Sequence, residues 1–196
     1  MAALVLALCL PARFALAEST YGYNAAGTGT VTANARVNLS VTVPKMILLR
    51  VGGTNTAVDT LAWTATASIP AVPTVPPATA DNVNVDWNGA APTFTLAAQP
   101  AAVSVYAWTN AGAATIVCAV GAWSGTGAAP AVAGFTVAAT GTLPHPGANL
   151  GVCGSTTIPA NVVATGTWTY TLAGSALVNS VAGVRTATVT YTVTGI

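Results

Sequence analysis

Thr30-Val31-Thr32-Ala33-Asn34-Ala35-Arg36-Val37-Asn38-Leu39-Ser40-Val41-Thr42-Val43 alternates without a break, polar at every even position and apolar at every odd one. In an extended chain, residues two apart share a face, so this pattern lines all the apolar side chains along one side. A helix turns about 100° per residue and would scatter the same residues around its circumference. The stretch therefore predicts a long, half-buried β-strand. Arg185-Thr186-Ala187-Thr188-Val189-Thr190-Tyr191-Thr192-Val193-Thr194 repeats the scheme, with Ala187, Val189, Tyr191 and Val193 on the inner face.

Between these terminal runs, β-branched and aromatic residues predict strands near 46–51, 60–67, 82–87, 93–97, 103–108, 114–120, 135–139 and 162–172. Gly, Pro and Asn punctuate them. Alanine is abundant, but Gly, Pro and Thr interrupt it too often for helical turns to propagate. Many short strands between turn signals predict an all-β chain folded as an antiparallel, Ig-like β-sandwich, with long alternating terminal strands. The expected organisation is an N-terminal extension over 18–43 and one sandwich domain over 44–196. Loops are expected at 69–77, 125–133 and 141–151.

Charge is scarce. Charged residues make up 5% of the 196, and the formal net charge is +1, while 53% are hydrophobic. Soluble domains are usually about a quarter charged, and net charge keeps them dispersed. A surface of hydroxyls, amides and small side chains is inexpensive to bury against a copy of itself. No basic patch with interleaved aromatics occurs, which argues against nucleic acid as a partner.

Residues 1–17 combine a short apolar run, Ala2 to Leu10, with the small-x-small pattern Ala15-Leu16-Ala17. This reads as a signal peptide, and the run is too short to span a bilayer, which takes about 20 residues. Its removal takes away Cys9 and Arg13, leaving Cys118 and Cys153 and balanced charge. An even cysteine count in an exported chain predicts a Cys118–Cys153 disulfide, with two buried thiols as the alternative. The expected location is secreted, extracellular or at the cell surface.

Candidate chemistry is thin. His145 lies in Leu143-Pro144-His145-Pro146-Gly147 and has neither a nucleophile nor an orienting carboxylate nearby in sequence. It reads as an exposed loop histidine rather than a general base. Two cysteines and one histidine are too few for a zinc site. Asn82, Asn84, Asp86 and Asn88 share a strand face, but the spacing departs from a calcium loop and reads as a solvated strand before an Asn-Gly turn. No metal, cofactor or catalytic set is expected, and an enzyme is the least favoured class. Of five tryptophans, Trp63 and Trp168 fall in inward registers. Trp123, between Gly121 and Gly125, is the expected exposed ring and the candidate ligand-facing aromatic.

The signal segment, the alternating Thr30–Val43 stretch, the Thr/Val-rich end at Arg185–Thr194 and the single cysteine pair resemble bacterial fimbrial or pilin-type subunits. More distantly, they resemble secreted spore-coat-U-like domains. That resemblance implies a homopolymer in which an N-terminal strand completes the neighbour's sandwich, with Val31, Ala33, Ala35, Val37 and Leu39 as assembly residues. It also implies a periplasmic chaperone and an outer-membrane assembly protein as partners. The competing expectation is a monomeric secreted module that binds carbohydrate or adheres through Trp123.

Overall fold

Burial alternates along the chain wherever the apolar residues do. In the computed structural model, which describes residues 18–53, 56–97, 99 and 102–196, nine strands form: β1 Ile47–Val51, β2 Ala65–Ser68, β3 Thr93–Leu96, β4 Val103–Thr109, β5 Ala114–Val120, β6 Phe135–Gly141, β7 Ser155–Ile158, β8 Ala164–Leu172 and β9 Val189–Gly195. The expected signal peptide, residues 1–17, lies outside the described residues. The chain divides between Pro44 and Lys45 into two units.

In the C-terminal unit, β1-β4-β8-β6 make a four-stranded antiparallel sheet, and β7-β5-β9 make a three-stranded one. β2 and β3 pair separately. The inner faces of the two larger sheets meet in one apolar cluster. It holds Val103, Val105, Phe135, Val137, Trp168, Tyr170 and Leu172 from the first sheet, and Ala114, Ile116 and Ile158 from the second. The chain is all-β and sandwich-like, as its alternation predicts. β8 crosses both neighbours at Gly166, where an added Cβ would lie 2.5 Å from the Thr140 carbonyl oxygen; only glycine permits this approach.

The outward face of the four-stranded sheet is ordered by register. Arg50 pairs with Tyr106 and Leu48 with Trp108. Tyr106 pairs in turn with Thr165, and Ser104 with Thr167. Thr167 faces Thr140 on β6, and Thr171 faces Thr136. One end of the face is aromatic, and the rest is a floor of hydroxyls.

Three expectations about strands change. Thr30–Val43 pairs with no strand among the described residues, and its side chains are exposed on both faces. Its alternation is real, but a half-buried strand needs a partner sheet, and this unit supplies none. Residues 82–87 form only an isolated bridge between Ala71 and Trp87. The stretch expected at 60–67 pairs only from Ala65 onward.

Candidate functional site

The sandwich is closed along one side and open along the other. On the closed side, the free edge of β6 is covered by the following loop. The Val137 amide donates to the Ala148 carbonyl and the Leu150 amide to the Phe135 carbonyl, each at 2.9 Å. The same loop carries Cys153, bonded to Cys118 on β5, as the cysteine count predicts.

On the open side lie β1 and β9, the outer strands of their sheets, each paired on one side only among the described strands. They meet at one end, where a Cβ on Gly195 would sit 3.2 Å from Ile47 Cδ1. Leu49 and Val51 on β1, and Val189, Tyr191 and Val193 on β9, point inward yet are only half-buried. Their counterparts in central strands, Val105 and Ile116, are fully buried.

Backbone geometry makes this edge usable. The Gly121 amide donates to the Thr188 carbonyl, so Thr190, Thr192 and Thr194 direct their backbone groups toward β5. The N–H and C=O groups of Val189, Tyr191 and Val193 therefore point away from the sheet. Natural edges are usually blunted by Lys, Pro or a bulge. β9 carries none of these residues, and the nearest charge, Arg185, precedes it.

The base of the open side is held by a polar chain inside the core. The Tyr170 and Tyr191 hydroxyls share a hydrogen bond at 2.5 Å, and the Tyr191 hydroxyl bonds His145 Nε2 at 2.8 Å. His145 Nδ1 lies within hydrogen-bond reach of both the Gly147 carbonyl and the Gly147 amide. The His145 ring stands edge-on to Trp168 with centroids 4.8 Å apart, and Trp168 Nε1 donates to the Leu143 carbonyl at 3.0 Å. His145 is thus buried, not exposed. A histidine between two prolines reads locally as a turn tip, and only the distant tyrosines on β8 and β9 draw it inward.

Burial disfavours the imidazolium and lowers the His145 pKa, partly opposed by its bond to Gly147. Burial likewise raises both tyrosines. A histidine depressed in the folded state contributes stability that is present above its unfolded pKa of about 6.5 and lost as pH falls through and below that value. Urea midpoints should therefore decline below about pH 6.5, and His145→Gln should flatten this part of the profile. An equally steep decline in the variant would contradict the assignment.

The N-terminal unit is organised by side-chain ties. An Asn24–Gly27 turn reverses the chain. Thr20 Oγ1 donates to the Asn34 carbonyl at 2.7 Å, and Arg36 pairs with Glu18 at 2.9 Å. That bond to the guanidinium lowers the Glu18 pKa. Among the expected assembly residues, Val31, Val37 and Leu39 are 51%, 77% and 88% exposed, and Ala33 and Ala35 are also exposed. Val41 and Val43 extend the same exposed row.

Trp123 is not the exposed ring. It is half-buried against Phe135, with centroids 5.7 Å apart. Phe135 also receives Trp63 edge-on at 5.3 Å. Exposure belongs instead to Trp87, whose indole N–H donates to the Ala90 carbonyl. Asn82, Asn84, Asp86 and Asn88 are all exposed. No cluster of three or more His, Cys, Asp or Glu occurs among the described residues, and none of their helices is long and apolar enough to cross a membrane. No protein-family model, curated protein or solved structure matches this chain.

Proposed function

We propose that this chain is a non-enzymatic structural subunit of a secreted filament, pilus or coat, whose copies join by β-strand addition. Residues 30–43 of one copy lie along the open β9 edge of the next. Backbone hydrogen bonds to Val189, Tyr191 and Val193 supply affinity, and the alternating apolar side chains enter the half-buried row between β9 and β1. The observation that carries this reading is complementarity within one sequence. Among the described residues, an alternating apolar segment pairs with no strand, and β1 and β9 are each paired on one side only. The low charge agrees, since few ions must be desolvated where copies meet.

Val37→Asp tests this cleanly because Val37 is exposed in the single chain. An exposed substitution should leave the folding free energy within about 0.5 kcal/mol. In the assembled state the same carboxylate would sit in an apolar slot, at a cost of several kcal/mol. Electron microscopy and sedimentation should find polymers of the natural chain and none of the variant, with coincident unfolding curves. Monodisperse natural protein at high concentration would contradict the proposal, as would normal filaments from a chain lacking residues 18–43.

A further inference from the structure

The outward face of the four-stranded sheet carries a second surface, unrelated to the open edge. Tyr106 and Trp108 project from the same side of β4, two residues apart, so their rings follow one another at about 7 Å. The Arg50 guanidinium stacks on the Tyr106 ring, 4.0 Å from its centroid. This contact fixes the cation in place, and Arg50 Nε is left buried without a hydrogen-bond partner among the described residues. Arg50 has no carboxylate within ion-pair distance there, whereas Arg36 is paired with Glu18 and Arg185 donates to the Ser124 and Val181 carbonyls. Beside the aromatic ridge, Ser104, Thr165 and Thr167 present hydroxyls on strands about 4.8 Å apart.

From this arrangement we propose that the face binds an anionic polysaccharide, one whose pyranose rings carry carboxylates. A sugar ring is apolar on its C–H faces and ringed by hydroxyls. Arg50 covers one face of Tyr106, so the rest of that exposed ring and the half-buried Trp108 ring meet the first, and the threonine floor offers donors and acceptors to the second. The held guanidinium offers a fork for the carboxylate, with little side-chain entropy left to lose. Charge decides against a second copy of this chain as the occupant. Its carboxylates number four, of which Glu18 is engaged by Arg36. A neutral glycan would leave Arg50 unanswered.

The test is calorimetric titration of the full chain with hexagalacturonate, with cellohexaose and hexaglutamate as controls. Hexagalacturonate should bind, weaken as sodium chloride rises from about 0.05 to 0.5 M, and outcompete both controls. Arg50→Gln should weaken it about tenfold or more, the loss expected for one charge-assisted contact. Tyr106→Thr, which matches the neighbouring residues of the face, should do the same by removing the platform. Both variants keep the core intact, so their melting curves should match the natural chain, and either one alone is sufficient for the comparison. Absence of hexagalacturonate binding would overturn the proposal, as would affinity unchanged in the folded variants. Equal binding of cellohexaose would overturn the requirement for a carboxylate and with it the proposal, and equal binding of hexaglutamate would point to an acidic protein and overturn the sugar assignment.

Discussion

Replacing Trp168 by alanine should destabilise the sandwich by about 3–5 kcal/mol, the range for removing a large aromatic from a core. The indole is 0% exposed on β8. It fills the space between the sheets and contacts the His145 and Tyr191 rings, each with centroids 4.8 Å away. Two losses combine. The cavity removes dispersion contacts from every lining residue, and the Leu143 carbonyl loses the indole N–H that reaches it at 3.0 Å. An orphaned buried acceptor costs about 1–3 kcal/mol by itself. Trp168→Phe separates the two, because it retains much of the ring volume and still orphans the carbonyl. Its penalty should fall well below that of Trp168→Ala in urea unfolding. Equal penalties would mean that the hydrogen bond, not the packing, dominates at this position.

Removing the disulfide should have a comparable effect by a different route. Cys118 and Cys153 are 35 residues apart, and closing a loop of that length restricts the unfolded chain by about 4 kcal/mol in the chain-entropy description. The bond also anchors the loop that covers the β6 edge to the buried face of β5. Cys118→Ala with Cys153→Ala should therefore lower the unfolding midpoint strongly, and so should a reductant acting on the natural protein. Once unfolded and reduced, the natural chain should behave like the double variant. A midpoint insensitive to reductant would show that the loop is held by its backbone bonds alone.

The parts of the fold that were legible in the sequence share a physical cause. β4, β5 and β8 are central strands with one face on the core, so their apolar alternation maps directly onto burial. The cysteine pair was legible because Cys118 and Cys153 are the two cysteines outside the expected signal segment. Illegible features depend on who the neighbour is. The stretch at 30–43 has the most regular alternation in the chain, yet periodicity reports a capacity to be half-buried and does not say against what. Residues 82–87 alternate too, but the positive φ at Asn82 and the lone bridge at Trp87 leave them outside the sheets.

Single side chains were harder still. Gly121 and Gly125 around Trp123 suggested an open loop, but Phe135 lies beside that ring. His145 is flanked by prolines and looks external, until Tyr170 and Tyr191 supply the hydroxyls that make its burial affordable in hydrogen-bond terms. The open edge itself had a faint signal: the final strand carries alternating apolar residues with no Lys or Pro to discourage pairing. The Arg50 and Tyr106 pair had no signal, because the register of β1 on β4 creates it.

Strand addition between copies is tested most directly by nuclear magnetic resonance on labelled protein lacking residues 18–43, titrated with a peptide of residues 30–43. The account predicts that the amides of Val189, Tyr191 and Val193 shift and become protected from exchange, while the same peptide with Val37→Asp leaves them unchanged. No response at β9, or a response confined to the β6 and β7 side, would contradict it.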